Sequence, residues 1–344
     1  MPLALGPPLE PMLAKAAADI PRGGSWVYEP KWDGFRAIIF RDGDSVRISS
    51  RNSLPLERYF PELLAPLRDA LPARIVVDGE LVIATPHGLD FDALQMRLHP
   101  AASRVKMLSE QTPASVVLFD VLAIDDTDLR KQPFDVRRRH LLDVVRVDRT
   151  VGITPQTSSP DEAAQWFQRY EGAGLDGVVA KDPAGVYLHG ERRWVKVKHL
   201  RTVDCVVGGF RPHVKGVGIG SLLLGLYDGA GVLHHVGHTS GFNAAERREI
   251  FERLQPLTGG ESFGHGRTPG APSRWRSAAD AGFVPVTPSL VCEVSFDHLQ
   301  GERFRHAARF LRWRPDKDPG GCTFDQLSPP EAFSLEEIIV APHR

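Results

Sequence analysis

From residue 26 to residue 50 the chain alternates short apolar runs with charged turns. The runs 37–40 and 45–50 are separated by Arg41-Asp42-Gly43-Asp44, a turn sequence, and together predict a β-hairpin. That hairpin would start near Lys31 and end at Ser50-Arg51-Asn52, returning Arg51 towards the lysine's end of the sheet. Residues 59–71 carry apolar side chains at helical spacing and stop at Pro72. Residues 75–83 read as a buried strand interrupted by Asp78-Gly79-Glu80, 91–98 as a short helix, and 114–122 as a second apolar strand. Helices are predicted over 134–147, where Arg137-Arg138-Arg139-His140 would form a solvated face, and over 161–172, started by Ser158-Ser159-Pro160-Asp161 and ended by Gly172 or Gly174. Two further strand-like runs are 175–181 and 194–198. The first 25 residues, rich in Pro, Gly and Ala, read as an irregular arm laid on the first domain.

The pattern changes near Thr202. Strands at 205–210, 221–228 and 232–239 lead to a helix over 244–257, a Gly/Pro-rich loop, and strands at 290–296 and 310–313. Three strands, a helix and further strands are the content of a small closed barrel of the OB type, with a sandwich as the alternative. The expected organisation is α+β, with domains at 1–201 and 202–344.

Several charges stand where this pattern calls for apolar side chains. Glu80 lies inside an apolar strand, which costs several kcal/mol unless the carboxylate is paired or given a ligand. Lys196 and Lys198 are two residues apart on a strand and share a face, where two ammonium groups repel unless an anion such as phosphate lies between them. Lys31 sits in Glu29-Pro30-Lys31-Trp32-Asp33-Gly34-Phe35-Arg36, crowded by an aromatic, an acid, a glycine and an arginine. Desolvation and cationic neighbours favour the neutral amine, which is a nucleophile, so the stretch points to covalent catalysis by Lys31.

A chain of 344 residues that is 42% apolar has room for two soluble globular domains. No apolar run approaches the ~18 residues of a membrane helix, and Met-Pro-Leu-Ala-Leu-Gly-Pro-Pro is unlike a signal peptide, so a cytoplasmic protein without a membrane partner is expected. Cys205, Cys292 and Cys322 are odd in number and form no C-x-x-C pair, which leaves buried thiols rather than a disulfide framework or zinc site. His234, His235 and His238 are close in sequence, but strand neighbours point to opposite faces, which argues against a metal there. The glycine-rich 216–221 segment lacks the Walker lysine and a following helix and reads as an inter-strand loop. Net charge is −1, so any nucleic-acid surface has to be local. The 302–317 stretch carries six Lys/Arg against two acids, and 191–201 is also basic.

Read together, the motifs resemble the ATP-dependent DNA ligases of the covalent nucleotidyltransferase superfamily. They are Lys31-Trp32-Asp33-Gly34-Phe35-Arg36, Ser50-Arg51-Asn52, Asp78-Gly79-Glu80, Phe119-Asp120-Val121-Leu122, Asp176-Gly177-Val178-Val179-Ala180-Lys181, Trp194-Val195-Lys196-Val197-Lys198 and, far downstream, Arg309 to Lys317. Pro11-Met12-Leu13-Ala14 and Phe91-Asp92-Ala93-Leu94-Gln95 match as well, and the order spans nearly the whole chain. The likeness is greatest to the small two-domain actinobacterial DNA ligase C and ligase D ligase-domain type, without added modules.

The resemblance implies an ATP-grasp-like nucleotidyltransferase domain of antiparallel sheets with helices, followed by an OB-fold β-barrel. It implies that Lys31 takes AMP from ATP, passes it to the 5′-phosphate of a nick in duplex DNA, and that the 3′-hydroxyl displaces it. Lys196 and Lys198 would hold the α-phosphate, Arg36 and Arg51 would serve the ATP phosphates or the 5′-phosphate, and Glu80 would hold the ribose hydroxyls. Phe119 would stack on the purine and Glu29 would read the adenine edge. Asp176, where the family usually has Glu, would bind Mg²⁺ or Mn²⁺, and Arg314, Asp316 and Lys317 would face the pyrophosphate. It further implies a monomer working in DNA repair at the bacterial nucleoid, beside a separate primase-polymerase. An RNA ligase or GTP-dependent mRNA capping-type nucleotidyltransferase shares the lysine and is the alternative. A non-catalytic OB protein would leave Lys31, Lys196 and Lys198 without purpose.

Overall fold

The computed structural model describes residues 3–86, 88–99, 101–214, 218–263, 269, 282–297 and 299–327. The chain divides into two compact units, one running to His199 and the other starting at Leu200.

In the first unit the apolar runs build two sheets. A four-stranded sheet has the order Leu13–Ala16, Arg192–Lys198, Gly177–Lys181, Val27–Lys31. A six-stranded sheet runs Val151–Ile153, Ser115–Ile124, Arg74–Val82, Phe35–Asp42, Ser45–Ser50, with Thr127–Asp128 attached to Ser115–Ile124. Each sheet ends on one parallel pair, Leu13–Ala16 on Arg192–Lys198 and Val151–Ile153 on Ser115–Ile124, so neither is purely antiparallel as expected. Part of the irregular arm is thus a strand.

Ala37, Ile38, Ile39 and Phe40 are all buried because the larger sheet is covered on both faces. Ala37 and Ile39 join a core with Leu63, Leu67 and Leu141 from the helices, whereas Ile38 and Phe40 pack with Val76, Phe119, Leu122 and Trp194. Phe119 belongs to the larger sheet and Trp194 to the smaller, so the second cluster joins the two sheets.

The hairpin does not start near Lys31. Lys31 ends a strand of the smaller sheet, and the chain enters the larger one at Phe35. Trp32 anchors the crossing by donating its indole N–H to Thr154 Oγ1 at 2.8 Å. Gly34 makes it sterically possible, since a Cβ there would overlap the Leu81 carbonyl oxygen and come within 2.9 Å of Glu80 Cγ.

The helices are shorter than their patterns. Residues 59–71 form 3₁₀ turns followed by the helix Leu64–Ala70, and Leu71, ahead of Pro72, is extended. Pro160–Arg169 is capped by the Ser159 hydroxyl, which accepts from the Glu162 N–H. Ala102–Gln111 went unpredicted because only Val105 and Leu108 of this polar stretch are buried. The solvated face expected on the 134–147 helix is overturned: within Phe134–Val144, Arg137 and Arg138 are buried. Arg137 makes a two-pronged pair with Asp120 at 2.8 and 2.9 Å, and Arg138 donates to the Thr154 carbonyl.

The second unit is a curled sheet of order Leu233–Ser240, Ile219–Tyr227, Arg201–Pro212, Val291–Phe296, Arg309–Trp313, with Val284–Pro285 paired to Arg201–Pro212. Helix Ala244–Leu254 begins in a capping box made by Asn243 and Glu246. The expected closed barrel is not closed by a ladder. Among the described residues the edge strands share no ladder, and they meet at an isolated bridge where Ala308 N–H donates to the His238 carbonyl at 2.9 Å. Cys205, Cys292 and Cys322 are buried free thiols, as expected. In the glycine-rich segment Gly216 and Val217 lie outside the described residues, and Ile219 and Gly220 already belong to a strand.

Candidate active site

Three backbone segments converge on Lys31. Its Cα partner across the sheet is Gly177, and the Asp176 N–H donates to the Lys31 carbonyl at 2.8 Å. On its other side Gly177 pairs with Lys198, so the ends of three strands meet around one glycine. With φ of 135° and no room for a Cβ beside the Val197 carbonyl, only glycine fits there. The consequence is a charge cluster. Asp176 Oδ2, buried, contacts both Lys31 Nζ and, at 2.9 Å, Lys198 Nζ. The sequence sets cationic neighbours and a nearby acid around this amine; the structure adds the Asp176 carboxylate, which joins it to Lys198.

Lys196 follows on the same face of its strand, as the alternation predicted. Burial lowers its pKa, the charges of Lys31 and Lys198 lower it further, and Asp176 opposes them. This is a site built to gain from an anion.

Beside the cluster lies a cavity of about 180 Å³ whose wall includes Glu29, Lys31, Arg36, Arg51, Glu80, Phe119, Lys181, Trp194 and Lys196. Glu80 is partly buried and its pKa is raised to about 7, chiefly by desolvation, with Arg36 and Lys31 pulling it down. Glu29 is buried, its carboxylate 2.6 Å from Lys181 Nζ and 3.3 Å from Gln156 Nε2. Phe119 stands edge-on to Trp194, their centroids 5.9 Å apart. Arg36 is held by Asp78 through contacts of 2.5 and 2.6 Å, and its guanidinium lies 4.4 Å from the Phe119 ring centre. Asp78 also accepts from the Tyr187 hydroxyl at 2.6 Å. Arg51 is exposed on a tight turn in which Ser53 N–H donates to the Ser50 carbonyl and Leu54 N–H to Ser50 Oγ.

Sequence reasoning assigned no role to Lys181, Asp78, Tyr187 or Gln156. For Lys181 the signal existed, since a lysine closing the apolar run Val178-Val179-Ala180 poses the same question as Glu80.

Arg314, Asp316 and Lys317 are on the second unit. Arg314 contacts Asp204 at 2.9 Å and Asp316 at 2.7 Å, while Lys317 reaches Asp204 at 3.5 Å. The hydrogen bond from Arg314 lowers the Asp316 carboxyl to about 2. Arg312 pairs with Glu293 at 2.6 Å. The basic segment is therefore interlaced with acids. Among the described residues no group of three or more His, Cys, Asp or Glu could hold a metal ion, and no helix is long and apolar enough to cross a membrane.

A lysine amine set between further lysines and a carboxylate, at the mouth of a cavity walled by rings and acids, is the layout of a covalent nucleotidyltransferase. The model of the ATP dependent DNA ligase domain matches residues 11–198, and that of the ATP dependent DNA ligase C terminal region matches residues 215–317. The chain belongs to the ATP-dependent DNA ligases, enzymes that form phosphodiester bonds. It is 50% identical to DNA ligase C1 of Mycolicibacterium smegmatis over 98% of this chain and 99% of that one, and 50% identical to DNA ligase C of Mycobacterium tuberculosis over the same shares. The multifunctional non-homologous end joining DNA repair protein LigD of Mycobacterium tuberculosis is 31% identical over 90% of this chain, which corresponds to 39% of LigD. A solved Lig E DNA ligase shares the fold, with a TM-score of 0.56 at 20% identity over 89% of this chain and 99% of that one. These likenesses favour the DNA ligase reading over the RNA ligase and capping-type alternatives.

Proposed function

We propose that this chain seals nicks in duplex DNA that carry a 5′-phosphate and a 3′-hydroxyl, through lysyl-AMP on Lys31 and a DNA-adenylate. The observation that carries the proposal is the Asp176 carboxylate joined to both Lys31 and Lys198, with Lys196 alongside at the cavity wall.

In the first step the deprotonated Nζ of Lys31 attacks the α-phosphorus of ATP. The bond to the bridging oxygen breaks, and its electron pair leaves on pyrophosphate. The P–N bond then breaks as an oxygen of the nick's 5′-phosphate takes the adenylate, and Lys31 recovers its amine. Finally the 3′-hydroxyl attacks the 5′-phosphorus and AMP departs with the electron pair. Each displacement brings a nucleophile to an anionic phosphate, so fixed positive charge is the main catalytic need. Lys196 and Lys198 supply it at the α-phosphate, and Arg51, on its exposed turn, serves the 5′-phosphate. Arg36 acts from its pair with Asp78. Glu80 accepts from the ribose hydroxyls, Glu29 reads the adenine edge, and the purine lies against Phe119. Arg314, Asp316 and Lys317 act on the pyrophosphate in the first step.

Asp176 would hold Mg²⁺ or Mn²⁺ together with the nucleotide's own oxygens; a single carboxylate completed by phosphates and water suits such an ion. When bound, the metal offsets phosphate charge. The domains are assigned as adenylyltransferase, 1–201, and OB-fold, 202–344. The LigD likeness extends the proposal to repair, and the remaining reading is a monomer in the cytoplasm, beside a separate primase-polymerase.

A labelled nicked duplex tests the reaction. The chain with ATP should convert it to sealed product, Lys31→Ala should not, and Lys31→Ala should still seal a nick that is already adenylylated. Sealing of the plain nick by Lys31→Ala would overturn the proposal.

A further inference from the structure

One buried cation, Lys181, has no task in these three displacements. It closes the strand Gly177–Lys181 and is 1% exposed. Its ammonium lies 4.3 Å from the ring centre of Trp194, 4.6 Å from that of Phe134 and 4.7 Å from that of Phe119. Its ion-pair partner is Glu29 at 2.6 Å. Desolvation lowers the lysine's pKa, while Glu29 and Asp120 oppose the shift. Ring faces and one carboxylate compensate part of the cost of burying this charge. A buried pair of this kind adds little net stability, and its use is to fix geometry.

What it fixes is Glu29. Glu29 and Lys31 are two residues apart on one strand and so share a face, and both border the cavity, as do Phe119 and Trp194 from the rings around Lys181. Lys181 thus touches the acid and the aromatic wall at once. We infer that Lys181 is a positioning residue for base selection, holding the Glu29 carboxylate at the cavity wall as an acceptor for the exocyclic amino group of adenine. The inference rests on the reading that Glu29 faces the base edge. Adenine presents a donor at that position and guanine an acceptor, so a fixed, ionised carboxylate gains a hydrogen bond from one and repels the other. Gln156, donating to the other Glu29 oxygen at 3.3 Å, limits rotation of the carboxylate about its axis.

The test compares formation of the lysyl-nucleotide from ATP and from purine riboside triphosphate, which lacks the amino group. The wild type should prefer ATP by about tenfold or more in kcat/KM, the worth of one charge-assisted hydrogen bond. Lys181→Met should shrink that preference to within about threefold, mainly through the KM for ATP, and Lys181→Arg should restore part of it. A folded Lys181→Met that keeps the full preference overturns the inference. Glu29→Leu, which removes the acceptor, separates the two readings: if it keeps the preference, the base-edge reading itself fails. Should Lys181→Met not fold, the charge-balanced double variant Glu29→Leu with Lys181→Met replaces it, and retention of the wild-type preference there overturns both.

Discussion

Asp176 and Lys198 are joined by a 2.9 Å ion pair on the same carboxylate oxygen that contacts Lys31. One acid therefore holds two amines that would otherwise repel, and it does so at the edge of the cavity. Asp176→Asn should slow adenylylation of Lys31 by about 100-fold, the usual cost of removing one preorganised electrostatic group. Asp176→Glu, the residue the family usually carries, should retain far more activity. Single-turnover labelling with ATP checks both, and an Asn variant as fast as the wild type would refute the role.

Glu80 makes the protein sensitive to pH. Its folded pKa, about 7, lies above the ordinary glutamate value of 4.5, so its protonated form is favoured in the folded state. Its contribution to stability is complete below about 4.5 and is lost as pH rises through about 7. Glu80→Gln should accordingly melt at a higher temperature than the wild type at pH 8, and the gap should close towards pH 5. ATP affinity should move the opposite way in the wild type, weakening as pH falls through 7, because only the ionised carboxylate accepts fully from the ribose. Glu80→Gln should remove that dependence.

Ser53 has a φ of 57°, a left-handed conformation that glycine adopts without strain. The turn needs this angle to bring Leu54 N–H back to Ser50 Oγ at 3.0 Å and so to present Arg51. Ser53→Gly should leave stability unchanged or raise it by up to about 1 kcal/mol, whereas the β-branched Ser53→Val should cost about 1–2 kcal/mol. Chemical denaturation of the two variants reads the sign directly.

Arg137 and Asp120 form a wholly buried ion pair. Arg137→Met leaves an uncompensated carboxylate and should cost about 3–5 kcal/mol, while Arg137→Met with Asp120→Leu should recover most of it. A loss equal in both variants, measured by denaturant unfolding, would show that packing rather than charge is at stake.

Local patterns in the sequence made part of the site legible. Period-2 alternation placed Lys196 and Lys198 on one face, and an acid inside an apolar strand marked Glu80, because both facts are local. The join of Lys31 to Asp176 was not legible, since it depends on strands brought together from opposite ends of the unit. Arg137 misled for the same reason: three arginines in a row read as a solvated face until Asp120 is known to lie beneath them. Gly34 and Gly177 stood in the motifs, but their purpose emerges only from the carbonyls of Leu81 and Val197 that occupy the space of a side chain. The closed barrel failed on the pairing of two strands far apart in the chain: among the described residues, the edges formed by 233–240 and 309–313 meet at an isolated bridge rather than a ladder.

The central claim is that the Lys31 amine becomes covalently bonded to the nucleotide. Peptide mass spectrometry after incubation with ATP tests it most directly. The account predicts AMP on the Lys31 peptide alone, lost on addition of nicked duplex DNA and absent from Lys31→Ala. AMP on Lys196 or Lys198 instead, or a Lys31 adduct that nicked DNA never discharges, would contradict it.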